Sequence, residues 1–262
     1  MFEKIKLIAT DMDGTLLNAA KEMPRDFIPF VKSHPELKFV IVSGRQYYTL
    51  KRDFEEITDS LIYISDNGGL AVYRDEIIYS DLMTQEDVRA CLDAILTIPD
   101  CVPFVCGLDC AYMPPSGEEG REQGRTYYAR LKECADLYAA AAKDQIIKLA
   151  IYFPGFRAEE VSNNFPKLPD SLLAVLSGDS WIDIANRTVH KGAALAAIQK
   201  KYALARNECM AFGDYPNDLS MLAVCEESFC MANGHDSVKE VAKHIAPSNE
   251  EEGVMQVLKS FK

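Results

Sequence analysis

Two stretches of this chain alternate short apolar runs with helical patterns, and a stretch of different character separates them. In the first stretch, apolar runs at residues 5–9, 38–42 and 61–64 alternate with segments of helical periodicity. The alternation resumes after residue 180, beginning with an apolar run at residues 181–185. Strands that alternate with helices are typical of a parallel sheet with crossover helices. The sequence therefore predicts an α/β core of this kind.

The intervening stretch, residues 82–180, has longer helical patterns and more widely separated strands, which favours an α+β unit. Within it, prolines and glycines among charged residues predict an exposed, mobile loop over 114–124, and a helix is expected over 125–141. The 262 residues are enough for two domains. We expect a discontinuous core, residues 1–81 plus 181–262, with an α+β domain inserted at 82–180.

The charge balance excludes several classes of partner. The chain has 28 Lys and Arg against 40 Asp and Glu, a net charge of −12. Nucleic-acid backbones and anionic membranes are bound by clustered basic residues, so we expect neither as a partner. No stretch has the apolar length of a signal peptide or of a membrane span, and we therefore expect a cytoplasmic protein. The oligomeric state stays open between a monomer and a small homo-oligomer.

Eight cysteines are too few in a chain of this length for a disulfide scaffold. Cys101, Cys106 and Cys110 lie close together in the sequence, but no second pair of ligands accompanies them, as a structural zinc site requires. We interpret them as small buried hydrophobic residues, with a metal site as the less favoured alternative.

A cluster of acids follows the first predicted strand, in the segment Asp11-Met12-Asp13-Gly14-Thr15. In an open α/β sheet, ligands bind at the carboxyl ends of the strands. Two neighbouring carboxylates in an acidic protein repel each other unless a cation compensates them, and Mg²⁺ prefers such oxygen ligands. A solvated turn is the alternative, because Asp-Gly is a common turn pair.

Two further segments offer positive or donor groups. Ser43, Gly44 and Arg45 follow the second predicted strand and combine a hydroxyl, an accessible backbone N–H and a guanidinium, which suits a phosphate. An ordinary strand-to-helix turn is the alternative there. Lys191 opens a predicted helix, where the helix dipole disfavours a cation. That cost is explained if Lys191 meets a carboxylate or a phosphate, and a surface lysine is the alternative. We interpret His190 as structural or exposed rather than catalytic.

The fourth segment, residues 213–218, follows the predicted strand at 209–212 and contains Asp214, Asn217 and Asp218. Asp214 could complete a metal site with the acids of the first segment. Asn217 or Asp218 could instead cap the helix that follows. All four segments are expected at one edge of the same sheet.

In their order and composition, Asp-Met-Asp-Gly-Thr, Ser-Gly-Arg, Lys-Gly and Gly-Asp-x-x-Asn-Asp resemble the four motifs of the haloacid dehalogenase superfamily. The insert lies between the second and third motifs, as in the C2-capped branch. Residues 65–69 and 249–258 are similar to the Cof-type (subfamily IIB) sugar-phosphate phosphatases. The resemblance implies a Rossmann-like parallel sheet with an inserted α+β cap domain.

The resemblance also implies roles for individual residues. Asp11 would be the nucleophile that forms an aspartyl-phosphate, Asp13 the general acid and base, and Lys191 the group that balances charge. Mg²⁺ would be held by Asp11, the backbone carbonyl of Asp13, and Asp214, with Asp218 supporting the metal site. The phosphate would be bound by Met12, Ser43, Gly44, Lys191 and Asn217. Arg45 and Asn67 would reach the leaving group.

We therefore expect a Mg²⁺-dependent phosphomonoesterase that acts on a small phosphate ester, with sugar phosphates as the favoured class and the insert as a lid. One alternative is a sugar-phosphate mutase, which would need a cationic cap surface to hold a second phosphate. The less favoured alternative is a non-catalytic module that binds phosphate ligands. The sequence does not identify the substrate, since a fold does not specify the leaving group.

Overall fold

The computed structural model describes residues 4–260. By internal contacts, the chain divides into two compact units. The first, called here the core unit, contains the chain up to Ser80 and from His190 onward, and the second, the inserted unit, is Asp81–Val189.

The strands are β1 (Leu7–Asp11), β2 (Lys38–Val42), β3 (Leu61–Ser65), β4 (Leu70–Tyr73), β5 (Glu76–Ser80), β6 (Val102–Gly107), β7 (Ala111–Met113), β8 (Leu131–Glu133), β9 (Ile146–Tyr152), β10 (Leu172–Leu176), β11 (Trp181–Asn186), β12 (Cys209–Gly213), β13 (Glu227–Met231) and β14 (His244–Ala246). The α-helices are α1 (Phe27–Ser33), α2 (Tyr47–Asp53), α3 (Gln85–Ile95), α4 (Glu118–Tyr127), α5 (Leu137–Ala141), α6 (Ala158–Ser162), α7 (Lys191–Lys201), α8 (Leu219–Ala223), α9 (Asp236–Lys239) and α10 (Gly253–Leu258).

The core unit contains one sheet with the strand order β14-β13-β12-β1-β2-β3-β4-β5. The strands from β14 to β3 are parallel, and β4 and β5 continue the sheet as an antiparallel hairpin. The central strand β1 is buried along its whole length, because helices connect the parallel strands and its side chains are apolar up to Ala9. The predicted parallel α/β core is therefore confirmed, and the carboxyl ends of β1, β2 and β12 lie at one edge.

The inserted unit contains a second sheet with the order β10-β11-β9-β6-β7-β8. All of its strand pairs are antiparallel except β7 with β8. Apolar side chains of α3, α5 and α6 pack on one face of this sheet, and an aromatic cluster that includes Phe104 and Trp181 lies on the other. An α+β architecture is thus observed for this unit.

The boundary expected at residue 180 is wrong. The run at residues 181–185 forms β11, which pairs with β9 and β10 of the inserted unit and not with the core sheet. A buried apolar strand looks the same in sequence whichever sheet it joins, so its position after a Ser-Gly turn did not distinguish the two. The division falls after Val189.

The loop expected over 114–124 and the helix expected over 125–141 are also wrong. Helix α4 occupies Glu118–Tyr127, and a short strand, β8, separates it from α5. Gly120 and Gly124 are buried within α4, where each lets the helix approach its neighbours closely. In sequence these glycines indicate a loop, because glycine disfavours an isolated helix.

The three clustered cysteines fit the apolar interpretation. Cys106 and Cys110 are buried, Cys101 is half-buried, and none of the three forms a disulfide. Within residues 4–260, the only group of side chains close enough to hold a metal together is made of aspartates, described below. In the same range, no helix has both the length and the apolar character needed to cross a bilayer.

Candidate active site

The side chain of Asp11, at the carboxyl end of β1, meets a buried lysine. Lys191 Nζ donates to Asp11 Oδ1 at 2.5 Å and to Asp218 Oδ1 at 2.6 Å. Lys191 is 1% exposed and Asp218 is fully buried. Because a buried ammonium is costly unless it is paired, the two carboxylates account for its position.

Lys191 is the first residue of α7, and the residue before it shapes the start of the helix. His190 Nδ1 accepts a hydrogen bond from the Ala193 N–H at 3.0 Å, so His190 acts as the N-cap. Gly192 lies against α8: a Cβ there would be 2.3 Å from the Ser220 carbonyl oxygen. These contacts fix the first turn of α7 and so aim Lys191 at Asp11. His190 is exposed and has a structural role, as expected.

Three carboxylates, those of Asp11, Asp214 and Asp218, have oxygens within 4.8 Å of one another. Both oxygens of Asp218 are already used. Oδ1 accepts from Lys191, and Oδ2 accepts from the backbone N–H groups of Asp214 and Tyr215 at 2.9 and 3.1 Å. Asp218 therefore shapes the loop after β12, which leaves Asp11 and Asp214 as the carboxylates best able to bind a metal.

The position of Asp214 is set by two residues of the first motif. Thr15 Oγ1 donates to Asp214 Oδ1 at 2.7 Å. Gly14 has a positive φ of 81°, and a Cβ on it would lie 2.4 Å from Asp214 Oδ2. The glycine thus supplies both a left-handed turn and the space that the carboxylate occupies.

Electrostatics at this cluster favour a bound cation. Burial raises the pKa of Asp11 to about 8, although Lys191 acts in the opposite direction. Burial also raises the pKa of Asp214, against the hydrogen bond from Thr15. For Lys191, burial opposes the charged form, but the two carboxylates outweigh it and raise its pKa. Within the part of the chain that the structure describes, the group that could hold a metal consists of aspartates alone, and such oxygen ligands fit a hard divalent cation such as Mg²⁺.

Asp13 belongs to a separate, partly exposed network. Its carboxylate accepts from Arg45 Nη2 at 2.9 Å and from Lys21 Nζ at 2.8 Å, and Arg45 Nη1 also donates to Asp53 at 3.0 Å. Although burial acts in the opposite direction, the two cations lower the pKa of Asp13. Arg45 thus reaches the first motif, while no residue spacing indicates Lys21 as a neighbour of Asp13 or Asp53 as a neighbour of Arg45.

The second and fourth motifs meet through two asparagines. Asn217 Nδ2 donates to Asn67 Oδ1 at 3.2 Å, and a Cβ on Gly44 would be 3.0 Å from Asn67 Nδ2. Asn67 has a left-handed backbone, with φ of 56°. The buried Ser43 hydroxyl accepts from the Arg45 N–H at 3.2 Å. Three of the expected phosphate-binding residues, Ser43, Gly44 and Asn217, therefore lie at the ends of β2 and β12, with Asn67 between Gly44 and Asn217.

Met12 lies within the first motif, in the turn that follows β1. It is buried, and its carbonyl accepts from the N–H groups of Thr15 and Leu17. Its own side chain is apolar, so any contact with a phosphate would come from its backbone.

The sequence profile of the haloacid dehalogenase-like hydrolases matches residues 8–258. The chain belongs to this family. The resemblance found in the motifs is thus confirmed over both units and not only over the core.

Relatives of this haloacid dehalogenase-like hydrolase include phosphatases. It is 30% identical to the 5-amino-6-(5-phospho-D-ribitylamino)uracil phosphatase YbjI of Escherichia coli, over 97% of this chain and 95% of that protein. Among solved structures, SMU.1108c of Streptococcus mutans is 26% identical, with a TM-score of 0.83 and 98% of both chains covered. A haloacid dehalogenase-like hydrolase of Bacteroides thetaiotaomicron is 22% identical, with a TM-score of 0.86, covering 98% of this chain and all of that chain, and shows the same fold. The chain is a phosphatase of this family.

Proposed function

We propose that this hydrolase is a Mg²⁺-dependent phosphomonoesterase that transfers the phosphoryl group of a small metabolite to Asp11 and then to water. The observation that carries the proposal is the buried Asp11 carboxylate at the end of β1, with Lys191 against one oxygen and Asp214 nearby. As the nucleophile, Asp11 would lie beside the positive charge that a dianionic phosphate needs.

Asp11 attacks the phosphorus atom, the ester oxygen leaves, and an aspartyl-phosphate forms. Lys191, held by Asp218, keeps the Asp11 oxygen in place and offsets the negative charge of the incoming phosphoryl group. Ser43, the Gly44 N–H and Asn217 bind the phosphoryl oxygens, which limits the rotation of the group during transfer.

Asp13 is the proton carrier in this proposal. It gives its proton to the leaving alkoxide and then takes one from the water that hydrolyses the aspartyl-phosphate. Its contacts with Lys21 and Arg45 hold it as a carboxylate in the free enzyme. Productive substrate binding must therefore displace at least one of these cations, so that Asp13 takes up a proton, from water or from the phosphate of the substrate, before it protonates the leaving oxygen.

Asp11 and Asp214, with the backbone carbonyl of Asp13, are the groups that would hold Mg²⁺. The bound ion would neutralise part of the charge on the nucleophile and on the phosphate. Support for this assignment comes from the chemistry of the donor set, because buried carboxylates with raised pKa values gain most from a divalent cation.

For the substrate, we propose a phosphate monoester of a sugar or of a sugar-like polyol. The name of the Escherichia coli relative specifies a phosphorylated ribityl chain, which belongs to this class. The inserted unit Asp81–Val189 would serve as the lid that selects the leaving group. Hydrolysis is favoured over mutase chemistry because the relatives are named phosphatases.

The test is phosphate release from a panel of sugar, ribityl and nucleoside phosphates with Mg²⁺. We expect release from at least one sugar or ribityl ester, and a loss of more than about a thousandfold in Asp11→Asn. Asp26→Asn, a surface change of the same kind, is the matched control. Unchanged activity in Asp11→Asn would refute the nucleophile, and an isomeric ester without free phosphate would identify a mutase.

A further inference from the structure

The edge strand β10 of the inserted unit has no charged side chain. Its residues, Leu172–Leu176, are all apolar, and Leu173, Val175 and Leu176 are 43%, 51% and 42% exposed. Exposed apolar edge strands attract further strands, and proteins ordinarily protect their edges with charges. The described residues contain three other sheet edges, and each has a charged side chain on or beside it: Glu76 on β5, Lys132 on β8, and Glu227 on β13 beside β14.

The hydrogen-bond pattern shows which backbone groups of β10 point away from the sheet. The Arg187 N–H donates to the Ser171 carbonyl, and the Ser177 N–H donates to the Trp181 carbonyl. Antiparallel pairs alternate between bonded and non-bonded positions, so residues 171, 173, 175 and 177 face β11. The N–H and C=O groups of Ala174 and Leu176 therefore point outward, as does the carbonyl of Leu172.

We propose that β10 pairs antiparallel with β10 of a second copy of this chain and forms a twofold-symmetric dimer. With Ala174 on the twofold axis, the two Ala174 residues exchange N–H···O bonds, and each Leu176 N–H meets the Leu172 carbonyl of the other copy. The Leu172 N–H is already satisfied by the Pro169 carbonyl. In this register every outward donor of the strand finds an acceptor.

The same register pairs the exposed side chains. Leu173 lies opposite Val175 of the second copy, in the non-bonded position where side chains approach most closely. Leu176 lies opposite Leu172. Both contacts bury apolar surface that is exposed in the single chain.

The distribution of charge favours β10, over other surfaces of the chain, as the place where a second copy binds. Two molecules with a net charge of −12 repel each other, and they approach at least cost along a segment without charges. Residues 171–178 form such a segment, and the nearest acids, Asp170 and Asp179, lie outside the paired strand. Because one strand buries little area, the expected affinity is weak, with a Kd of about micromolar.

The test measures the mass of the whole chain by sedimentation velocity over a wide concentration range, at near-physiological ionic strength. We expect a concentration-dependent dimer. Val175→Lys should weaken it at least about tenfold, because it adds two like charges near the axis. The introduced lysine lies opposite Asp183 on β11, so the single chain should still fold. Ile77→Lys, on the charge-protected edge strand β5, is the matched control and should leave the Kd unchanged.

Hydrogen exchange of the unmodified chain provides a measurement that needs no variant. The amides of Ala174 and Leu176 should exchange more slowly at high than at low protein concentration, while those of β5 should not change. A chain that stays monomeric at every concentration overturns the proposal. So does a dimer that Val175→Lys leaves intact, or one that forms without protection of these two amides.

Discussion

Lys191 illustrates how single residues create this site. A cation at the start of a helix opposes the helix dipole, and burial adds a second cost. Asp11 and Asp218 compensate both costs through bonds of 2.5 and 2.6 Å. The lysine is therefore held by partners on β1 and in the loop after β12, which are far from it in sequence. Its position depends on the whole core being folded.

The support from Asp218 can be tested with Asp218→Asn. The amide oxygen can keep the bonds to the N–H groups of Asp214 and Tyr215, but the amide nitrogen then faces Lys191 Nζ, donor against donor. We expect a loss of about 3 kcal/mol in unfolding free energy, measured by urea denaturation. Asp26→Asn breaks the exposed pair with Lys259 and should cost less than about 1 kcal/mol. Equal losses in the two variants would contradict the role of Asp218.

Gly14 allows a sharper test of the metal site. Gly14→Ala should cost about 1 kcal/mol because φ is positive, and its Cβ would also push the Asp214 carboxylate away. Gly155→Ala has the same backbone strain, with φ of 75°, but its Cβ meets nothing within 4 Å. We expect both variants to lose stability and only Gly14→Ala to lose the rise in Tm produced by Mg²⁺. Thermal unfolding with and without Mg²⁺ measures this, and an undiminished rise in Gly14→Ala would refute the arrangement.

The acids of the site could be predicted from the sequence better than the side chains that contact them. Asp11, Asp13 and Asp214 follow strands directly, and strand ends can be located from apolar runs. The contacts of Asp13 with Lys21 and of Asn67 with Asn217 depend on left-handed backbone at Lys21 and Asn67. Such turns connect side chains in ways that no residue spacing indicates.

Among the elements, strands of the core sheet were predictable because parallel strands buried on both faces are continuous apolar runs. Some elements of the inserted unit were not, and α4 shows why. Its glycines oppose helix formation locally but permit close packing: a Cβ on Gly124 would be 2.7 Å from Leu131 Cδ2 and 3.1 Å from Phe104. Tertiary packing therefore overrides local propensity here. The assignment of β11 to its sheet likewise depends on pairing partners and not on its own residues.

This interpretation predicts that Gly124→Ala destabilises the chain although alanine favours helices. Helix propensity alone would contribute about 1 kcal/mol of stability. Crowding against the buried Phe104 and the half-buried Leu131 should exceed that gain and leave a net loss of about 1 kcal/mol. Gly117→Ala, at the N-cap of α4 with open space around it, should change stability by only a few tenths of a kcal/mol, about 0.3. A stabilised Gly124→Ala in urea denaturation would show that the packing is loose.

Considered as a whole, the molecule has a net charge of −12, and part of this excess is buried at the site. Asp11 and Asp218 lie together in the core unit, and within residues 4–260 Lys191 is the cation that contacts them both. Stability and metal binding should therefore be linked through the protonation of Asp11, since either a proton or a divalent cation relieves the same repulsion.

The linkage predicts how stability depends on pH without metal. In the unfolded chain Asp11 loses its proton near its ordinary pKa of 3.8, whereas burial raises this pKa to about 8 in the folded chain without metal. Between these values the folded state binds more protons, so the contribution of Asp11 to stability falls as pH rises, by at most about 1.4 kcal/mol per pH unit. Thermal unfolding in a chelator, from about pH 4 to about pH 8, should show this fall relative to Asp11→Asn.

Saturating Mg²⁺ should remove the extra fall of stability with pH that distinguishes the wild type from Asp11→Asn. The cation takes the place of the proton and lowers the pKa of Asp11. Wild-type stability in Mg²⁺ should then rise above that in the chelator, most strongly near the upper end of the range, where protonation no longer relieves the repulsion. Asp11→Asn carries no such charge and should respond to Mg²⁺ weakly at every pH. Parallel pH profiles for the two proteins in the chelator would mean that Asp11 is already a carboxylate in the free enzyme, stabilised by Lys191 alone.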